Sequence, residues 1–184
     1  MTGLATWAVA LAERMLSAEF PRRWRHDLGA VAKARIAAHV VGDDADLLVA
    51  AAALHDLGHA PQLADTGFGP LDAARYLRRE GAPDRLVALV ANNAGGSAEA
   101  AMRGLVREYE SFPDEGSLVT DALWWACLTT GADGSEVTVQ DRIAGWATSY
   151  AGDDIVAKWA ADVAPTLIAA VERTRARVER GTAP

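Results

Sequence analysis

The sequence is poor in cysteine and proline, and it has no uninterrupted apolar run of membrane-spanning length. Its 184 residues include one cysteine, Cys127, and 7 prolines. A single cysteine excludes an internal disulfide, and the N-terminal stretch lacks the basic lead of a signal peptide. A membrane-spanning helix needs about 18 apolar residues in a row. We therefore expect a cytoplasmic protein without a membrane partner.

Positive charge is also scarce. The 18 Lys and Arg residues are outnumbered by 25 Asp and Glu residues, which gives a net charge of -7. This charge repels phosphate backbones, so a nucleic-acid partner is not expected. Hydrophobic residues make up 51% of the chain, enough to bury one core, and we expect a single domain over residues 1–184. The large apolar fraction also raises the hypothesis of a homodimer.

The β-branched alternation of strands is absent, and Gly, Pro or Asp clusters recur about every 12 to 20 residues. This pattern predicts an all-α, single-domain helical bundle. Helix starts are predicted at Pro21 and Pro70, N-caps at Asp44 and Ser97, and C-terminal glycines at Gly42, Gly58 and Gly81. The predicted helices lie near 4–18, 22–41, 44–56, 70–80, 83–93, 97–110, 117–129, 138–150, 153–161 and 165–180.

The predicted helix 44–56 differs from the others because it has no polar side after its first turn. Residues 47–54 are all apolar, which predicts burial on every face. The helix ends in His55-Asp56, where the helix dipole opposes a carboxylate. Asp56 therefore needs a basic side chain, a cluster of donors or a metal ion as a partner. His and Asp together suit Zn, Fe, Mn or Co, although an arbitrary His-Asp pair more often only contacts core neighbours.

A second histidine, His26, lies on an earlier predicted helix beside Gly29 and Ala30. These small residues would let another helix approach closely, so His26 can meet His55-Asp56 in the core. Here the sequence resembles the HD superfamily of metal-dependent phosphohydrolases over roughly residues 15–180. The resemblance is carried by Arg22-Arg23-Trp24-Arg25-His26, Ala53-Leu54-His55-Asp56-Leu57-Gly58, Thr66-Gly67-Phe68-Gly69-Pro70-Leu71-Asp72 and Thr129-Thr130-Gly131-Ala132-Asp133-Gly134.

The resemblance implies an HD-type helical bundle in which His26, His55 and Asp56 are three of four metal ligands. The family pattern closes with an Asp, and the corresponding position here is Cys127. Asp121 is six residues away on a different helical face, so it is not an easy substitute. Related small HD proteins also tend to carry histidines where this chain has Gly69, Asn92 and Asn93.

Two outcomes remain open for the metal. A Cys127 thiolate could complete a site with His26, His55 and Asp56. Loss of the other family ligands instead favours a metal-poor or metal-free protein, in which His55 and Asp56 form an acid/base pair and Cys127 is a candidate nucleophile. The expected cofactor is accordingly none, or one Mn, Fe, Co or Zn ion.

Further residues are candidates for binding a small anionic substrate. Arginines near His26 could clamp a phosphate or carboxylate, although solvated surface arginines are commoner. Trp124 could wall the pocket, with core packing as the alternative, and His59 lies one turn beyond His55. The substrate-binding candidates are Arg22, Arg23, Arg25, His59, Asn92, Asn93, Arg103 and Trp124.

These observations leave three functional hypotheses. The first is a divergent HD-domain enzyme with His26, His55 and Asp56 at its centre, metal-poor or metal-free, such as a lyase, isomerase or cyclase of a specialised pathway. The second is a metal-dependent phosphohydrolase of a small phosphate ester or nucleotide that also uses Cys127. The third is a non-catalytic ligand-binding or regulatory module.

Overall fold

The computed structural model describes residues 3–149 and 154–181, apart from the side chains of residues 147–149. The only β pairing among the described residues is an isolated bridge between Thr130 and Glu136, which confirms the all-α prediction. The helices are α1 Leu4–Leu16, α2 Pro21–Ile36, α3 Ala38–Val41, α4 Ala45–Leu54, α5 Gly69–Arg79, α6 Asp84–Ala91, α7 Gly96–Met102, α8 Val106–Tyr109, α9 Leu118–Leu128, α10 Val139–Ser149 and α11 Asp154–Gly181.

Helix α4 is the centre of the bundle. It packs against α1, α2, α3, α6 and α9, and every residue from Leu48 to Leu54 is buried. This confirms the prediction of a helix that is buried on all faces. Helix α11 packs against α9, α10, α7 and α3. Within the described ranges, no helix combines the length and apolar character needed to cross a bilayer.

The proline and several glycine predictions at helix ends are confirmed. Pro21 and Pro70 lie in the first turns of α2 and α5, where a missing N–H costs nothing. Gly42 and Gly81 follow helices with positive φ angles of 59° and 75°, as C-terminal glycines do. Gly58 was predicted in that role but does not have a positive φ. It is required for close packing instead, because an added Cβ would lie 1.8 Å from the carbonyl oxygen of Gly69.

Neither predicted N-cap makes a capping hydrogen bond, although Asp44 does occupy the N-cap position of α4. Asp44 precedes α4, but its carboxylate binds the Arg85 guanidinium at 2.6 and 2.8 Å and caps no backbone N–H. Ser97 lies inside α7, which begins at Gly96 after the left-handed residue Gly95. The capping box of the structure is at Ser117, before α9.

Three helix boundaries also differ from the prediction. The segment 97–110 is broken at Gly104, whose φ is 74°, and 22–41 is broken after Ile36. The predicted helices 153–161 and 165–180 are one helix, α11, with Pro165 inside it. Pro165 is exposed, and buried residues spaced by four continue along one face on both sides of it, so tertiary packing holds the helix together. These residues are Trp159, Val163, Leu167 and Val171.

Candidate metal centre

Two buried histidines meet where the end of α4 faces α2. The Nε2 atoms of His26 and His55 lie 3.1 Å apart, and their rings are arranged edge to face with centroids 5.1 Å apart. The two residues are only 2% and 5% exposed. The structure thus brings together the two histidines that the sequence singled out.

Backbone carbonyls fix the tautomer of both rings. His26 Nδ1 lies 3.1 Å from the Gly131 carbonyl oxygen, and His55 Nδ1 lies 2.9 Å from that of Ala52. A carbonyl oxygen only accepts, so each Nδ1–H donates and each Nε2 presents a lone pair. Two lone pairs facing each other at 3.1 Å repel unless a proton or another cation intervenes. Burial lowers the pKa of His26 to about 4 and also lowers the pKa of His55, so a proton is disfavoured at neutral pH.

Gly29 explains how the Gly131 carbonyl reaches His26. A Cβ at Gly29 would lie 2.6 Å from Thr130 Cγ2 and 3.0 Å from the carbonyl oxygen of Gly134. The chain beyond α9 therefore packs directly on α2, and Lys33 Nζ secures it by donating to the carbonyl and hydroxyl oxygens of Thr129, both at 2.7 Å. The sequence predicted a close helix approach beside Gly29 and Ala30. Helix α2 does pack against α4 and α9, while the residues nearest Gly29 itself belong to the turn after α9.

Asp56 follows His55 directly and has the basic partner that the sequence analysis required. Arg23 Nη1 donates to Asp56 Oδ2 at 2.7 Å. Asp56 Oδ1 lies 3.6 Å from His55 Nε2 and 3.8 Å from His59 Nε2. Burial alone would raise the pKa of Asp56, but His55 and Arg23 hold it well below its usual value. Asp56 is therefore a carboxylate at neutral pH.

Asp27 is a member of the site that sequence reasoning missed. It is fully buried, and neither carboxylate oxygen has a hydrogen-bond partner among the described residues. Burial and the nearby Asp56 raise its pKa well above the usual value. One ligand atom from each of His26, Asp27, His55 and Asp56 lies within 4.8 Å of the others, and this group could hold a metal ion. Helical spacing could have indicated its burial, because Asp27 lies four residues before Val31 and therefore on the same face of α2.

Cys127 does not belong to this group of four. It lies near the end of α9, is buried and lines the same cavity as His26 and His55. Burial raises the pKa of its thiol well above the usual value, and the neighbouring carboxylates of Asp56 and Asp27 add to the effect. Without a metal, the side chain is a neutral thiol, which does not support the hypothesis of a metal-free nucleophile.

A cavity of about 460 Å³ opens beside His26, His55 and Asp56, whereas Asp27 is not among its lining residues. It contains the predicted candidates Arg23, His59, Asn93 and Arg103, of which Arg103 is paired with Glu99 at 2.6 Å. It also contains residues that the sequence analysis did not select, namely Arg142, Trp146 and Trp159.

Arg142 approaches from α10, and its Nη2 lies 3.4 Å from His26 Nε2. Its Nε is buried without a hydrogen-bond partner among the described residues. Nothing in the sequence around Arg142 indicated this position, because it depends on the turn that carries the chain from α9 back over α2.

The remaining candidates lie at the margin of the site or outside it. Arg22 and Arg25 are exposed and line a second cavity of about 430 Å³, which shares Arg23, His26 and Asp56 with the first. Asn92 is not among the lining residues, because its amide donates to the carbonyls of Ala88 and Phe112. Trp124 is buried in the core and lines neither cavity. The positions of Asn92 and Trp124 do not support the substrate-binding predictions.

Comparison with known proteins agrees with the arrangement of these residues. The family model described as HD domain matches residues 23–147, which is more than half of the chain and includes every residue of the four-membered group. Neither the curated proteins nor the solved structures gave a match. An all-helical bundle that joins a histidine of one helix to a His-Asp pair at the end of another, matched by this model over that length, shows that the chain belongs to the HD-domain family.

Proposed function

We propose that this protein is a metal-dependent hydrolase that acts on a small phosphate ester. The observation that carries the proposal is the pair of Nε2 lone pairs 3.1 Å apart, each fixed by a carbonyl at the opposite nitrogen. A divalent cation between them removes the repulsion and uses both rings as ligands.

The donor set fits such an ion. Ligand atoms at about 2.1 Å from one ion and at right angles to each other lie about 3 Å apart, close to the observed separation of the two histidine nitrogens. Two imidazoles with a carboxylate suit Mn, Fe, Co or Zn. Asp56 is the carboxylate that the family pattern assigns, and Arg23 holds its second oxygen at 2.7 Å. When bound, the ion activates water and neutralises charge on phosphoryl oxygens.

The cavity beside the centre favours an anionic substrate with a flat or apolar part. Arg142 lines it with a buried Nε–H that has no partner among the described residues, so this group can donate to a phosphoryl oxygen. Trp146 and Trp159 form one wall, with ring centroids 4.8 Å apart. A volume of about 460 Å³ suits a small ester such as a nucleoside monophosphate or an aryl phosphate.

A metal-free enzyme is the second candidate, and one contact favours it. Arg142 Nη2 lies 3.4 Å from His26 Nε2, so the guanidinium can itself supply the positive charge that the histidine lone pairs require. His55 and Asp56 would then act as an acid/base pair in a lyase, isomerase or cyclase reaction. Phosphate ester hydrolysis is not expected in that case, because it depends on charge neutralisation.

Metal content and phosphate release separate the two candidates. Chelator-treated protein is incubated with Mn, Fe, Co or Zn, desalted and submitted to elemental analysis, and phosphate release is followed with p-nitrophenyl phosphate and nucleoside monophosphates. We expect close to one ion per chain and hydrolysis that depends on it. Protein that retains no metal after supplementation would contradict the proposal and leave the metal-free candidate. Retained metal without turnover of any phosphate ester would limit the proposal to metal binding.

A further inference from the structure

Asp27 is a buried carboxylate that the fold itself leaves without compensation. It lies on α2 next to His26, is fully buried, and neither oxygen has a hydrogen-bond partner among the described residues. The closest nitrogen with an ion-pair contact is His55 Nδ1, 3.8 Å from Oδ1, which is beyond hydrogen-bond distance. An ionised carboxylate buried without hydrogen-bond partners costs several kcal/mol, and a cation within reach of its oxygens would remove that cost.

Positioning of His55 does not account for Asp27. A carboxylate often orients a ligand histidine by accepting a hydrogen bond from the ring nitrogen opposite the metal. In His55, that nitrogen already donates to the Ala52 carbonyl oxygen at 2.9 Å. The orienting role is therefore filled by the backbone, and the oxygens of Asp27 remain available for another partner.

We propose that Asp27, on α2, is the fourth protein ligand of the metal centre. It would replace the final Asp ligand of the family pattern, whose position on α9 is occupied here by Cys127. This inference rests on the proposed function, since it requires that a metal binds. Asp27 offers an oxygen within 4.8 Å of the donor atoms of His26, His55 and Asp56, whereas Cys127 is not part of that group. The resulting set of two imidazoles and two carboxylates is harder than a set with a thiolate, and it suits Mn or Fe as well as Zn.

An exchange of the carboxylate between the two helices tests the proposal. The variants are Asp27→Asn, Cys127→Ser and the double variant Asp27→Asn with Cys127→Asp, and Mn²⁺ affinity is measured by calorimetric titration of chelator-treated protein. Asp27→Asn should weaken Mn²⁺ binding by more than the about 10–100-fold that follows loss of a group supporting a ligand. Cys127→Ser should leave the affinity essentially unchanged. The double variant should recover most of the loss.

Stability in the absence of metal gives an independent readout. Asp27→Asn removes an uncompensated buried carboxylate, so the metal-free variant should melt at a higher temperature than the metal-free wild type. Its melting temperature should then respond little to Mn²⁺, whereas that of the wild type should rise with Mn²⁺ concentration. A residue with a purely structural role would show the opposite change in the metal-free protein.

The possible results distinguish this inference from the proposed function. If the wild type binds no Mn²⁺, Fe²⁺, Co²⁺ or Zn²⁺, both fail. If it binds metal and Asp27→Asn binds equally well, only the assignment of Asp27 is wrong. Should Asp27→Asn not fold, Co²⁺-loaded wild type decides the question by absorption. A sulfur-to-cobalt charge-transfer band in the near ultraviolet would identify Cys127 as the ligand and overturn the proposal, and cobalt d–d bands without it would support Asp27.

Discussion

Asp27 and Asp72 are equally buried, with exposures of 0% and 2%, but their surroundings differ completely. Asp72 Oδ1 accepts hydrogen bonds from the backbone N–H and the hydroxyl of Thr66, and Oδ2 accepts one from the Asp65 N–H. Asp27 has no such donor among the described residues. One carboxylate is satisfied by a neighbouring loop within the fold, and the other is not.

The comparison separates a buried carboxylate whose hydrogen-bond donors lie within the fold from one that has no such donors among the described residues. The donors to Asp72 come from residues six and seven positions earlier, so folding of the 65–72 loop compensates the charge locally. Asp27 instead lies close to His26 on its own helix and to His55 and Asp56 at the end of α4. Groups that are costly without a ligand and close enough to share one are characteristic of functional sites.

The largest expected effect is that of His55→Ala, which removes one of the two facing nitrogens. We expect loss of tightly bound metal and a fall of at least about 100-fold in metal-dependent phosphate release, with folding retained. Elemental analysis and a phosphate assay measure the two effects. His39→Ala is the matched control, because His39 is exposed on α3 and lies outside both cavities, and it should behave as wild type. If His55→Ala still released phosphate at the wild-type rate, the metal centre would not be the site of the reaction.

The next effect concerns the pH dependence of stability in the metal-free protein. Burial lowers the pKa of His26 to about 4 from the ordinary value of 6.5. Between these values, the unfolded chain binds a proton that the folded chain does not. The contribution of His26 is therefore full above about pH 6.5 and falls by about 3 kcal/mol as the pH drops toward 4.

Urea unfolding between pH 4 and pH 8 measures this slope. The 65–72 loop contains no histidine, so the part of the slope that a His26 variant removes belongs to the cluster around Asp27. His26→Gln should reduce the slope without abolishing it, because His55 and His59 also have lowered pKa values, whereas His39→Ala should leave it unchanged. A wild-type slope that His26→Gln leaves unchanged would show that His26 is not held neutral in the fold.

A smaller effect is expected for Asp72→Asn. Asn keeps one acceptor but replaces the other oxygen with a donor, which leaves the Asp65 or Thr66 N–H without its partner. The free energy of unfolding should fall by about 1–3 kcal/mol, while the affinity for Mn²⁺ stays at the wild-type value. Denaturant unfolding and calorimetric titration measure the two quantities. If Asp72→Asn weakened metal binding as strongly as Asp27→Asn, the distinction between the two aspartates would be lost.

The sequence allowed much of the fold and part of the site to be predicted. The apolar run of α4 predicted a central helix that is buried on all faces. The resemblance predicted that His26, His55 and Asp56 share one site. The break at Gly104 and the continuity through Pro165 could not be predicted, because both depend on which helical face is packed against the rest of the bundle.

The missed site residues have the same physical origin. No local pattern in the sequence indicates that Asp27, the residue after His26, is buried rather than exposed to solvent. Arg142 lies 116 residues after His26 in the sequence. It follows the turn at residues 130–134, which packs on α2 only because Gly29 has no side chain. Contacts between residues so far apart in the sequence depend on tertiary packing, and no local sequence pattern indicates them.

Titration of Mn²⁺ into chelator-treated wild type, Asp72→Asn and Asp27→Asn, measured under one set of conditions, tests most directly whether the buried cluster holds a metal ion. We expect one ion per chain in the wild type and in Asp72→Asn, with binding lost or strongly weakened in Asp27→Asn. A wild type that shows neither heat of binding nor a rise in melting temperature with Mn²⁺, Fe²⁺, Co²⁺ or Zn²⁺ would contradict this expectation.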